Sequence, residues 1–102
     1  MSPRFGAFAR HYGLLRRAVN QEGGRIERLP YQQFLSHYQS PVTEWSWRAV
    51  VEGAPLDFAL QISDKNGAGD LLVEIEVSGL PTWFGVTPGY HFWKRPDGSI
   101  SY

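Results

Sequence analysis

The chain contains no cysteine, and this absence removes several kinds of chemistry at once. Without thiols there is no disulfide framework, no thiolate metal site and no cysteine nucleophile. Cysteine-free chains fit a reducing compartment, so we predict a cytoplasmic protein. The sequence also lacks any apolar run approaching the ~20 residues that a membrane-spanning helix needs, so we predict no membrane partner.

The chain also lacks a net charge, although its charges are unevenly distributed. Residues 1–28 carry six arginines against two glutamates, a balance of +4, and the remainder carries −4. Such asymmetry can steer a charged partner. Nucleic-acid modules usually align their basic residues on one face, whereas this chain has only two lysines and scatters its arginines around the predicted first helix. Nucleic-acid binding by this Arg-rich helix is therefore kept as an alternative only.

Two stretches near the N-terminus have the apolar spacing of a helix. Ser2-Pro3 is a typical helix start, and the spacing predicts a helix over residues 3–20 that ends at Gly23-Gly24. Weak alternation predicts a short strand from Arg25 to Leu29, and a second helix is predicted from Pro30 to about Tyr38. The apolar stripe of the first helix consists of Phe5, Phe8, Tyr12, Leu15 and Val19.

From Thr43 onward the apolar period changes to two, which is typical of half-buried strands. Three alternating runs are predicted, joined by turns at Gly53-Ala54-Pro55 and around Asn66-Gly67. A closing hairpin follows, in which Arg95 is predicted to pair with Ser99. The inward-facing residues of the three runs are Trp45, Trp47, Ala49, Val51, Leu56, Phe58, Leu60, Ile62, Leu71, Val73, Ile75 and Val77.

These patterns predict one α+β domain over residues 1–102. In it, two N-terminal helices pack on one face of a four- to five-stranded antiparallel meander sheet that ends in a C-terminal hairpin. A length of 102 residues suits one core, and the 15% of aromatic residues supply large buried surfaces. The other face of the sheet is expected to stay open.

His91 is the first candidate functional residue, because it is expected on the open face beside Glu74 and Glu76. An imidazole oriented by a carboxylate is the minimum equipment for general acid–base catalysis. A small hydrolase or isomerase using these three residues is therefore one alternative function. The ordinary interpretation is a surface histidine, and no nucleophile or phosphate-binding loop lies nearby in the sequence. No residue is assigned as catalytic beyond these weak candidates.

Glu74 and Glu76 lie on one face of the same strand, where two carboxylates could share a divalent cation. Such a pair is more often a solvated face with a cross-strand arginine, and Arg48 is available. We therefore predict neither a metal nor a cofactor.

The segment from Leu80 to Gly89 holds two adjacent aromatic residues, Trp83 and Phe84, and is longer than a meander turn requires. Large aromatic residues are typical anchors of protein interfaces. The competing interpretation is that both rings fold back onto the end of the core. Trp93, expected on the open face with His91, is a further binding candidate.

The leading prediction is a non-enzymatic protein-binding module, such as a small inhibitor or an immunity-like protein. Its expected partner is a basic protein that contacts an acidic open sheet face around Trp93. The acids assigned to that face are Glu44, Glu52, Asp57, Glu74 and Glu76. The resemblance to small inhibitors is one of architecture, and architecture alone does not establish function. The sequence predicts no oligomeric state.

Overall fold

The computed structural model describes residues 3–41, 44–64, 67–82 and 85–102, with side chains from Gly6 onward. Within these residues, five strands form one antiparallel sheet in the order β1-β2-β3-β4-β5, and two helices pack on it, which is the α+β meander fold that the sequence predicts. The elements are α1 (Pro3–Ile26), α2 (Tyr31–Gln39), β1 (Glu44–Val51), β2 (Ala54–Ser63), β3 (Leu71–Ser78), β4 (Gly89–Lys94) and β5 (Ile100–Ser101). Predictions made for Ser2, Thr43, Asn66, Trp83 and Phe84 lie outside the described residues.

The first helix is longer than the sequence predicted, and the reason lies at Gly23. The helix continues through Gly23-Gly24 to Ile26, so the short strand predicted for residues 25–29 is wrong. A Cβ atom at position 23 would overlap the ring of Tyr90 on β4. This glycine therefore allows the helix to lie close against the sheet and does not end it.

The turn between β1 and β2 is one residue earlier than predicted. Val51 pairs with Ala54, and the two intervening residues, Glu52 and Gly53, have φ values of 50° and 81°. Positive φ at both central positions is the signature of a type I′ turn, which matches the twist of a hairpin. Glu52 consequently belongs to the turn and not to the face of a strand.

The closing hairpin has the predicted geometry. The amide of Arg95 donates to the carbonyl of Ser99 over 3.0 Å, and that of Gly98 donates to the carbonyl of Arg95 over 2.8 Å. Gly98 has a φ of 88°, the left-handed conformation that the turn requires.

The core lies between the helices and the inward face of β2, β3 and β4. Helix α1 packs mainly on β3 and β4, and α2 packs on β2. The predicted inward residues of β2 and β3 are buried, as are Leu15 and Val19 of the helical stripe. Trp47 lies on the predicted face but is only half-buried, stacked on Phe58 with ring centroids 5.4 Å apart. The helical layer therefore covers the centre of the sheet better than its first strand.

Candidate functional site

The open face of the sheet carries a row of polar side chains that crosses four strands. Glu44 of β1 lies opposite Gln61 of β2, which lies opposite Glu74 of β3, which lies opposite His91 of β4. Directly opposed residues of an antiparallel sheet share a face. The strand alternation thus brings two of the predicted acids and the predicted histidine into one line.

A neighbouring row is built largely from small residues. Ser46 of β1 lies opposite Ala59 of β2, which lies opposite Glu76 of β3, which lies opposite Gly89 of β4. Because the methyl group of Ala59 is short, the longer side chains around it enclose a small depression of about 50 Å³. We call this depression the acidic trough, and its polar lining consists of Glu44, Gln61, Glu74 and Glu76.

A second depression continues the trough along the same face. Its volume is about 170 Å³, and Glu76 borders both spaces. Ser46, Asp57, Ser78 and Thr87 contribute its other polar side chains. The open face is therefore concave beside Glu76, with room for a side chain of a partner.

Two of the five acids predicted for this face already have partners within the fold. Asp57 accepts a hydrogen bond of 2.8 Å from Nε of Arg48, the arginine expected beside Glu74 and Glu76. Glu52 lies on the helical side, so its assignment to the open face is wrong. It accepts two hydrogen bonds from Arg17 of α1, of 3.0 and 3.2 Å, which lower the pKa of its carboxyl group.

The other three acids, Glu44, Glu74 and Glu76, are exposed. Within the described part of the chain, none of the three forms a salt bridge. The carboxylates of the trough therefore carry charge that the rest of the described fold does not neutralise.

No group of three or more histidine, aspartate or glutamate side chains among the described residues is arranged to hold a metal ion.

His91 is exposed and lies directly across from Glu74, as the sequence analysis expected. Among the described residues, no hydrogen bond joins its ring to Glu74 or Glu76, and it does not line the trough. The fold therefore places the imidazole ring of His91 beside the acids without enclosing it.

Trp93 is half-buried at the edge of this face. It lies opposite Leu72 on one side and Ser101 on the other. Leu72, directly opposite Trp93, is only 9% exposed although it is on the open face. Trp93 thus presents a partly exposed aromatic surface next to the acids. Trp83 and Phe84, the other predicted aromatic anchors, lie outside the described residues.

Parts of the loop that carries those two anchors are described, and they return toward the first helix. Nδ1 of His11 donates a hydrogen bond of 2.8 Å to the carbonyl of Pro81. The hydroxyl of Thr82 donates to the carbonyl of Val86 over 2.5 Å. The first contact holds the start of the loop against α1, and the second joins two residues within the loop.

A polar cluster that the sequence analysis missed ties the closing hairpin to α1. The hydroxyls of Tyr90 and Tyr102 both donate to Oε2 of Glu27, over 2.5 and 2.7 Å. Burial and the hydrogen bond to Glu27 raise the pKa of Tyr90. Nζ of Lys94, whose residue is 4% exposed, donates 2.9 Å to the carbonyl of Glu27 and lies 5.9 Å from the ring centre of Phe34. Strand alternation, counted from the buried Phe92, could have placed Lys94 on the helix-covered face.

The helical side of β1 holds a second feature that the sequence analysis missed. An apolar cavity of about 210 Å³ lies between α2, the end of α1 and β1. The rings of His37 and Trp45 lie 4.6 Å apart at this cavity, and Nε1 of Trp47 donates to Glu22 over 3.3 Å. We call it the aromatic groove; its lining includes Ile26, Leu29, Phe34, His37, Trp45 and Trp47.

The basic residues of α1 are partly neutralised. Arg17 pairs with Glu52, and Nε of Arg25 pairs with Glu22 over 2.7 Å. Arg10 and Arg16 are exposed. The helix therefore does not offer an uninterrupted row of available cations.

No helix within the described ranges is long and apolar enough to cross a membrane.

Comparisons with protein-family models, with curated proteins and with solved structures find no match to this chain.

Proposed function

We propose that this protein is a non-enzymatic, cytoplasmic binding module that recognises a basic protein through its acidic open sheet face. In this role it resembles a small inhibitor or an immunity-like protein, whose activity consists of covering a surface of its target. The observation that carries the proposal is the acidic trough, in which Glu44, Glu74 and Glu76 surround Ala59 without a salt bridge among the described residues.

The trough is suited to a lysine or arginine side chain. A cation placed above Ala59 would approach the carboxylates of Glu44, Glu74 and Glu76 together, and charge-assisted hydrogen bonds are the strong ones. Complementary charge of this kind accelerates association and disfavours acidic competitors. Because the three residues belong to strands of one sheet, their backbone positions are fixed before the partner arrives.

Charge alone rarely supplies a tight interface, and an aromatic anchor usually accompanies it. Trp93 supports this part of the proposal, because it is half-buried, lies directly opposite Leu72 and borders the same face. Its ring is held by the sheet, so it loses little freedom when a partner covers it.

Affinity capture with charge-reversed bait tests the proposal. The tagged native protein is expected to retain a basic protein from a lysate of its host, and Glu74→Lys with Glu76→Lys is expected to abolish that retention. The matched control is Arg10→Glu with Arg16→Glu, which changes the net charge by the same amount in the opposite direction on exposed residues of α1. Circular dichroism shows whether each variant remains folded.

Two results would contradict the proposal. Capture that survives reversal at Glu74 and Glu76 but fails after reversal at Arg10 and Arg16 would move the interface to α1. A captured partner with an acidic surface would also contradict it.

The nucleic-acid alternative predicts strongly salt-dependent retention on a polyanion column, so elution at low salt would remove that alternative.

A further inference from the structure

The two edges of the sheet differ in length. The edge at β5 has only two paired residues, whereas β1 has eight. Over its whole length β1 pairs one to one with β2, so the described strand has no bulge. Long, regular edge strands are normally blunted by proline, by charged side chains such as lysine or by a bulge, because they can pair with another chain. Residues 44–51 contain neither proline nor lysine, and their two charged residues, Glu44 and Arg48, have opposite signs.

The hairpin register shows which backbone groups of β1 face the free edge. Val51 and Ala54 flank a two-residue turn, so they form a hydrogen-bonded pair. Hydrogen-bonded and non-hydrogen-bonded pairs alternate along an antiparallel ladder. Glu44, Ser46 and Arg48 are therefore at non-hydrogen-bonded positions toward β2, and their N–H and C=O groups point outward.

The side chains at these positions are complementary to themselves. Glu44 and Arg48 lie on the same face, two residues before and two residues after Ser46. A two-fold axis through Ser46 would place Glu44 of each copy opposite Arg48 of the other. It would also place Trp45 opposite Trp47 of the second copy, on the helical side.

We propose that two copies of this chain associate through β1, antiparallel around Ser46, into one continuous ten-stranded sheet. Hydrogen bonds along the strand supply the backbone contact, and two Glu44–Arg48 pairs fix the register. Pairing about Trp47 instead would place Glu44 opposite Val50 and Arg48 opposite Ser46. Neither charged residue would then face an opposite charge. The charge pattern therefore selects the register around Ser46.

Arg48 can contact a carboxylate of its own chain and one of the second copy at the same time. Its Nε donates to Asp57 over 2.8 Å. A guanidinium group carries five N–H donors in a planar fork, so further donors remain for a second carboxylate. Glu44 forms no salt bridge within the described ranges, so its carboxylate is available to that arginine.

The helical layer leaves the space that this pairing needs. The helices pack mainly on β2, β3 and β4, and the aromatic groove lies beside β1. Another depression, of about 460 Å³, lies between the end of α1 and β1 and is lined in part by Ala49 and Val51. Trp45 and Trp47 are half-buried in the single chain, and the second copy would cover them with its own pair.

Complementary charge variants test the proposal. Glu44→Arg alone places arginine opposite Arg48 twice, and Arg48→Glu alone places glutamate opposite Glu44 twice. Each variant alone is expected to dimerise at least about tenfold more weakly than the native chain. An equimolar mixture of the two is expected to recover the dimer, because the mixed pair carries opposite charges at both positions. Sedimentation velocity measures all four samples.

A native chain that sediments as a monomer at every concentration would overturn the proposal, and so would a mixture that stays monomeric while both variants are folded. Dimers that persist in both single variants would place the interface elsewhere. Glu44 borders the acidic trough and also takes part in this pairing. The two tests nevertheless fail separately, because the sedimentation samples contain no partner and the capture test changes only Glu74 and Glu76.

Cross-linking locates the contact directly, since the native chain has no cysteine. In the Ser46→Cys variant, the Cα atoms of the two introduced cysteines would lie about 5.5 Å apart, as in any hydrogen-bonded antiparallel pair. Val50→Cys, on the same face of β1, is the matched control, because its two copies would be about 27 Å apart along the paired strands.

A short bismaleimide is expected to link two copies of the Ser46→Cys variant and to leave the Val50→Cys variant as single chains. Linkage of the Val50→Cys variant alone would overturn the pairing. Linkage of neither variant, while the native chain is dimeric, would overturn it as well.

Discussion

The two faces of this sheet use charge in opposite ways. On the helix-covered face, Lys94 is buried, and its ammonium group donates to the carbonyl of Glu27. On the open face, Glu44, Glu74 and Glu76 are exposed and lack salt bridges within the described residues. A buried cation depends on its acceptor, because an uncompensated buried charge is strongly destabilising. Exposed carboxylates without partners impose no such requirement on the fold.

The contrast separates residues that build the fold from residues that are available to a partner. Neighbouring positions of one strand illustrate it, since Phe58 is buried in the core and Ala59 forms the floor of the acidic trough. Substitutions on the covered face should change stability, and substitutions on the open face should change binding.

Among the substitutions considered, the loss of the Phe58 ring should lower the free energy of unfolding most. This ring is 1% exposed and stacks on Trp47, so Phe58→Ala should lower the free energy of unfolding by about 3–5 kcal/mol. Urea denaturation measures the change. The matched control is Ala59→Ser, one residue along on the opposite face, which should stay within about 0.5 kcal/mol of the native chain. Equal losses in the two variants would show that the faces are not distinct.

A smaller effect is expected at the contact between α1 and β4. Gly23→Ala places a methyl group against the ring of Tyr90 and should destabilise the protein by about 1–3 kcal/mol, the usual cost of overpacking. Gly24→Ala meets no atom within 4 Å and should stabilise the helix by up to about 1 kcal/mol. Thermal melts of both variants should therefore shift in opposite directions. A Gly23→Ala melt above that of the native chain would contradict the close packing.

The polar cluster of the covered face predicts a loss of stability at high pH. Burial and the hydrogen bond to Glu27 raise the pKa of Tyr90 in the folded protein above its ordinary value near 10. Above pH 10 the unfolded chain therefore releases this proton while the folded chain retains it. Stability should be unaffected by this group below about pH 10 and should fall as the pH rises further, by at most about 1.4 kcal/mol per pH unit.

The matched variant is Tyr90→Phe, which keeps the ring against Gly23 and removes the titrating hydroxyl. Urea denaturation from about pH 9 to about pH 12, on either side of the ordinary tyrosine pKa, should show a shallower decline for this variant than for the native chain. An identical decline in both proteins would assign the alkaline sensitivity to other groups.

The sequence predicted the fold class because alternation and helical spacing are local properties. The inward residues of β2 and β3, and the closing turn at Gly98, followed from period and turn chemistry alone. The end of α1 did not, because Gly23 serves a contact with Tyr90, which is far away in the sequence. Local rules assign a glycine pair to a helix end, and tertiary packing overrides them here.

The candidate site was predictable only in part for a similar reason. Alternation placed Glu74 opposite His91 on one face, as the register now shows. It could not show that Glu52 would pair with Arg17, because that salt bridge joins a turn to a helix. The aromatic groove was also not predictable, since it depends on how far the helices extend over β1.

The fold does not need the carboxylates of the acidic trough, and the free energy of unfolding of Glu74→Gln with Glu76→Gln tests whether this is so. We expect a value equal to that of the native chain, or higher by up to about 1 kcal/mol because like charges on one sheet face repel. A value lower by more than about 1 kcal/mol would contradict it, since the two carboxylates would then be stabilising the fold.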